Sequence, residues 1–226
     1  MAWVRGRLGF ACHHNKYAGV SRWPVWLVLE PMWRGWFKSW HLPVLLILLS
    51  TLLALGGADL AGALRYQRAE ILHGQLWRLL SGHLLHLGGA HLLLNLCGLG
   101  LVWALFAREL SGPDGWLVLL CSALGVSLGL LLFDPGLDWY VGLSGVLHGL
   151  FAAGALRHWR ERPADAALML TVLAGKLLWE QLLGPLPGTS AVAGGPVVVD
   201  AHLFGALGGC IGALLRRSAL APPRRH

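Results

Sequence analysis

Charged side chains are scarce in this chain. They make up 13% of its 226 residues, where a soluble globular domain carries about 25%. That shortage excludes an ordinary water-soluble enzyme. Cysteine is sparse too: Cys12, Cys97, Cys121 and Cys210 lie far apart without a CxxC pair. A disulfide framework or a zinc site is therefore not expected. Three of the four fall within apolar runs, where cysteine acts as a small hydrophobe. No HExxH occurs, and no pair of aspartates sits inside an apolar run. Both absences argue against metal-dependent and aspartyl intramembrane proteolysis. No strong apolar run begins before Leu42, too deep for the usual cleavable signal, and none is expected. No repeat of fixed period stands out.

What is present is hydrocarbon. Hydrophobic residues reach 56%, and apolar runs recur at 43–58, 92–107, 116–133, 143–156, 166–179 and 201–215. Such runs mark a helical membrane protein, whose backbone polar groups must be satisfied within each segment. The expected architecture is all-α and polytopic, with spans at about 43–61, 83–106, 114–133, 144–156, 165–183 and 201–215.

The net charge of +7 is a topology signal before it is a sign of any acidic partner, and nucleic acid is not expected. Arg5, Arg7, Lys16, Arg22, Arg34 and Lys38 precede the first span; Arg108 follows the second. Arg157, Arg160 and Arg162 follow the fourth, and Arg216, Arg217, Arg224 and Arg225 follow the sixth. Only Arg65, Arg68 and Arg78 lie on the opposite side, and Lys176 falls within a span. The positive-inside rule then puts both termini in the cytoplasm.

Three domains follow from this reading. Residues 1–42 are basic, Trp-rich and too broken by proline and charge to span, so they read as a cytoplasmic or interfacial segment. Its "ACHHN" (11–15) has two adjacent histidines without further ligands and is assigned no function. Residues 43–216 form the helical domain, and 217–226 a basic cytoplasmic tail.

The fourth span is short. Ser144 to Leu156 rises roughly 20 Å at about 1.5 Å per residue, against a hydrocarbon layer of about 30 Å. With Arg157 at the cytoplasmic boundary, Ser144 lies about 10 Å below the outer surface, at a helix start. Non-helical backbone ("WYVGL") at that depth is tolerable where it lines a cavity.

Ionisable groups inside spans are functional candidates by default, and here they gather in the outer halves. His91 and Asn95 stand at i and i+4 on span 2, with His86 near its outer end; Ser144 and His148 repeat that spacing on span 4. His202 opens span 6, just after Asp200. Together they hold the parts of acyl transfer: a hydroxyl, an imidazole base, and donors for an oxyanion, including amides at the helix start. Any one alone reads more simply as packing or interhelical hydrogen bonding. Their convergence from three helices changes that balance. Gly145-xxx-Gly149 in span 4, with Gly205-xxx-Gly209 and Gly208-xxx-Gly212 in span 6, would let these spans touch and bring His202 to Ser144. Lys176 and Glu180, also i and i+4, read as a structural ion pair, with substrate contact the alternative. No span-borne acid stands out as a third member, so a Ser–His dyad is the simpler arrangement.

Three segments, "WRLLSGHLLHLGGAHLLLN" (77–95), "GLSG" (142–145) and "AHLFG" (201–205), resemble the signature regions of rhomboid intramembrane serine proteases. The resemblance spans about residues 43–216 and implies a six-transmembrane-helix rhomboid-like bundle. It implies that Ser144 is the nucleophile and His202 its base. It also implies an oxyanion hole of His91, Asn95 and the backbone at Leu143 and Ser144, supported by Gly142, Gly145 and His148. Trp77 and Arg78 match the "WR" of the loop motif, a structural role. His148 stands where many rhomboids carry a tyrosine against the catalytic imidazole, which leaves open what orients His202. "GLSGVLHG", the compact length and "GKLLWEQ" look most like rhombosortase, a bacterial subfamily. That likeness implies substrates ending in Gly-Gly, a transmembrane helix and a basic tail (GlyGly-CTERM), cut at the periplasmic face of the inner membrane. The partners expected are transmembrane substrates and lipid; no cofactor and no metal are expected. The loop 184–200, rich in Gly and Pro, is a candidate lid. The rival readings are a non-catalytic rhomboid-like chaperone and, behind it, a proton-coupled transporter.

Overall fold

The computed structural model describes residues 25–215, with side chains from residue 40 onward. The expectations for "ACHHN" and for the tail at 217–226 lie outside the described residues. The chain divides into two units, Met1–Gly35 and Trp36–His226. The elements in order are α1 (Val25–Ala54), α2 (Gly57–Leu64), β1 (Tyr66–Gln67), α3 (Arg68–Leu72), α4 (Arg78–Ser81) and a 3-10 turn at Gly82–Leu84. Then come α5 (Gly89–Phe106), α6 (Pro113–Phe133), β2 (Trp139–Tyr140), α7 (Ser144–His158), α8 (Pro163–Leu183), α9 (Thr189–Ala193) and α10 (Val199–Leu215).

Composition accounts for the long helices. α5, α6 and α8 are each long and apolar enough to cross a membrane, while Trp40–Ala54 and α10 are shorter apolar helices. Large apolar side chains face outward, among them Leu93, Leu101, Leu132, Phe133, Leu182 and Ile211. An outer surface of this kind suits lipid and not water: the protein is a membrane protein. Pro113 and Pro163 start α6 and α8, where a missing N–H costs nothing, and Asp114 and Asp165 sit in the first turns against the positive end of each helix dipole.

The span boundaries need four corrections. α1 begins at Val25 and not at 43, with Pro31 and Pro43 inside it; each proline removes one hydrogen bond. The first span ends at Ala54 and not near 61, because Gly57 adopts φ +76° and turns the chain into the separate α2. The second helix starts at Gly89 and not at 83; the residues before it form the 3-10 turn and an extended Gly88. The segment 62–82 is not a plain loop. β1 pairs antiparallel with β2, Tyr66 opposite Tyr140.

α10 sits at the centre, packed chiefly on α6 and α7, and glycine decides how close they come. A methyl at Gly205 would fall on the carbonyl of Gly145, and one at Gly209 on that of Gly149. A methyl on Gly145 would lie 2.6 Å from the carbonyl oxygen of Ala201. The expected contact of the α7 and α10 glycine pairs is therefore made. Gly208 and Gly212 turn elsewhere, onto Cys121 and Val118 of α6. Two glycine faces of one helix thus seat it on two neighbours. Gly205→Ala should lower stability by about 1–3 kcal/mol, read by thermal unfolding in detergent. Gly100→Ala, with open space around it, should leave stability nearly unchanged, and equal melting of the two would refute this packing argument.

Candidate active site

The backbone ahead of α7 is clamped before any reactive group is considered. The β1–β2 pair holds Tyr140, whose hydroxyl donates to the carbonyl of Gly142 (2.8 Å), and the Gly142 amide donates to the carbonyl of Gly82 (3.2 Å). Gly142 has φ +136°, and a methyl there would lie 3.1 Å from Cε1 of His91. Glycine is required twice over, for its torsion and for the imidazole beside it. Arg78, buried, donates to the carbonyls of Gly62 and Arg65 (both 2.8 Å) and to Gln75 Oε1 (2.8 Å). Trp77 is exposed and its indole reaches Ala63. Both belong to the scaffold, in line with the structural role implied for "WR".

His83, which no sequence pattern marks, completes the clamp. Its Nε2–H lies 3.0 Å from the Ala123 carbonyl and from Ser127 Oγ, and that hydroxyl donates to Leu79. Burial pushes its imidazole down to about 4, and burial together with the neighbouring His91 does the same to His86. Both rings are thus neutral near pH 7. No spacing in the local sequence singles out His83; only the placement of α6 does.

α7 then starts at Ser144. Its Oγ lies 3.0 Å from Nε2 of His202, which comes from α10, 58 residues later in the chain. The His202 ring is buried. His148 stacks on one face, with centroids 4.2 Å apart and planes inclined by 20°. Nδ1 of His148 donates to the Ser144 carbonyl (2.7 Å), one turn back on its own helix, so His148 serves the ring of His202 and not the hydroxyl. The other nitrogen of His202, Nδ1, lies 2.9 Å from Oε2 of Glu180 on α8, a residue only 2% exposed. Lys176 Nζ reaches the same oxygen at 2.7 Å. The Lys176–Glu180 pair exists, as expected, but it is not isolated: an acid does stand third in line behind Ser144 and His202. The spacing in the sequence shows a partner one helical turn away and conceals the one on another helix.

Asn95 and His91 are buried on α5 and line the same cavity as Ser144, about 600 Å³ and walled mainly by apolar side chains. One Asn95 N–H is spent on the His91 carbonyl (3.1 Å), leaving the second for the cavity. The Leu87 amide donates to His91 Nδ1 (3.3 Å), so the ring proton sits on Nε2, as a donor. Leu143 is buried with its side chain in the core; only its backbone belongs to the site. Amides in the first turn of α7 lack intrahelical partners. The site therefore offers a hydroxyl, an imidazole acceptor and several donors, the equipment of acyl transfer.

Glu180, His148 and His202 also bring potential metal-ligand atoms within 4.8 Å of one another. In this arrangement both ring nitrogens of His202 are taken, by Ser144 and Glu180, and Nδ1 of His148 is taken by the Ser144 carbonyl. The segment 184–200, which includes α9 and the start of α10, contributes Thr189, Ala193, Pro196, Val197 and Val198 to the cavity lining. Its flanking glycines, Gly184, Gly188 and Gly194, all have positive φ. Cys97, Cys121 and Cys210 are unbridged.

A rhomboid-domain model matches residues 73–218, a stretch that contains every residue of the site. No curated protein gives a significant match.

Proposed function

This chain belongs to the rhomboid family of intramembrane serine proteases, and we propose on that footing that it cleaves single-span membrane proteins with Ser144 as nucleophile and His202 as base. The observation that carries this reading is the 3.0 Å approach of Ser144 Oγ to His202 Nε2 at the floor of an apolar cavity. A packing serine has no need of an imidazole acceptor from another helix.

The steps follow from the groups in place. A substrate helix comes between α5 and α8, whose Leu94, Leu101 and Val172 face the cavity, and unwinds at small residues. Ser144 Oγ attacks the scissile carbonyl carbon as its proton passes to His202 Nε2. The carbonyl electron pair moves to oxygen, where Asn95, His91 Nε2–H and amides at the start of α7 receive it. His202 returns the proton to the departing amine, and water or another nucleophile resolves the acyl-enzyme.

In this reading six helices, α1, α5, α6, α7, α8 and α10, cross the bacterial inner membrane with both termini cytoplasmic and Ser144 toward the periplasm. The substrates are proteins ending in Gly-Gly, a transmembrane helix and a basic tail, as the likeness of "GLSGVLHG" and "GKLLWEQ" to rhombosortases suggests. Purified protein in liposomes, given a reporter with that tail, should release a product whose mass places the cut near the Gly-Gly. A reporter with an unrelated transmembrane segment should be cut far more slowly. Equal cleavage of the two would refute the substrate class and leave the protease reading standing.

A further inference from the structure

The third residue in line behind Ser144 is where the structure goes beyond a dyad. Glu180 Oε2 and Ser144 Oγ occupy opposite nitrogens of one imidazole, at 2.9 and 3.0 Å. Each nitrogen has one role. A carboxylate has no proton to give when ionised, so Nδ1 must carry one, and Nε2 is then the acceptor turned to the serine.

The placement of Lys176 supports this. A carboxylate buried on an apolar helix is costly unless a positive charge sits beside it, and Lys176 Nζ lies at 2.7 Å from Oε2; at 3.5 Å from a protonated Nδ1 it makes no hydrogen bond to the ring. Lysine precedes glutamate here, the poorer order for stabilising a helix by an i,i+4 pair. Helix stability therefore does not explain the pair, whereas keeping Glu180 charged at His202 does. With His148 on the ring face and Glu180 at its edge, both the tilt and the tautomer of His202 are set.

We infer that Glu180 is a positioning residue, that Ser144, His202 and Glu180 work as a triad, and that Lys176 holds the third member ionised. The inference rests on the serine-protease reading. During attack the serine proton goes to Nε2, the Nδ1 proton stays on His202, and Glu180 accepts its hydrogen bond without being protonated. The carboxylate steadies the imidazolium that forms.

The test combines chemistry at Ser144 with a direct look at the ring. In detergent, the rate at which a fluorophosphonate labels Ser144 would be measured for wild type, Glu180→Gln, Glu180→Asp and Lys176→Met, beside melting curves and kcat and KM on the reporter. Nitrogen-15 histidine NMR, with His202→Gln to assign the signal, would read the tautomer. Glu180→Gln should label about 10³–10⁴-fold more slowly, the scale of loss when an amide replaces the triad carboxylate and can leave the proton on the wrong nitrogen. The fall should be in kcat with KM little changed. Glu180→Asp should recover part of the rate, and Lys176→Met should lose about tenfold, a step of about 1.4 kcal/mol. Wild-type His202 should carry its proton on Nδ1.

Labelling of Glu180→Gln within threefold of wild type would overturn the inference, as would a wild-type proton on Nε2. Should Glu180→Gln fail to fold, the wild-type tautomer and the Glu180→Asp rate still decide the matter. Wild type that neither labels nor cleaves would overturn the protease reading instead, and the tautomer would still show whether Glu180 grips His202.

Discussion

Ser144→Ala and His202→Ala are each expected to reduce reporter cleavage in liposomes by about 10⁴-fold or more, because in the proposed mechanism nucleophile and base act as one unit. For the same reason the double variant should be no worse than either single one. The site makes this a clean comparison. Ser144 is the first residue of α7 and its Oγ points at His202 Nε2, so removing the hydroxyl disturbs no core packing. His202 is buried between His148 and Glu180, and its variant needs a melting curve alongside. Gel and product mass provide the measurement. Cleavage at wild-type rate by all three variants would rule out the serine mechanism. Absence of cleavage by wild type, with substrate helices still bound, would favour a rhomboid-like chaperone. Proton flux surviving Ser144→Ala would favour a transporter.

The second large effect concerns the oxyanion. Asn95→Ala and His91→Ala should each lower kcat by about 10²–10³-fold with KM little altered, the loss that follows removal of one preorganised donor. Asn95 has an N–H left over after its bond to the His91 carbonyl, and His91 presents Nε2–H because Leu87 donates to Nδ1. Donors of this kind matter only once charge develops on the carbonyl oxygen, which is why KM should hold. A loss in KM alone would move both residues from the transition state to substrate binding. Their shared bond also means that the two losses should not add.

Much of this protein is written in short-range pattern. The apolar runs determined which segments become the long helices, because a helix is the open-ended structure that satisfies its own backbone in lipid. Spacings of four determined that His91 and Asn95, and Gly145 and Gly149, share a helix face. The same spacing put Lys176 beside Glu180, and there it misled, since a partner one turn away hides a partner on another helix.

Other features needed the tertiary structure. The antiparallel contact of Tyr66 with Tyr140, the hold of His83 on α6 and the meeting of Glu180 with His202 each join residues far apart in the chain. Helical periodicity sets which side chains share a face but not the rotation and offset of one helix against the next. Those are decided where α10 sinks its glycines onto the backbones of α6 and α7. A shift of about 1.5 Å along a helix, one residue of rise, would separate Glu180 from His202 while leaving every local pattern in the sequence unchanged.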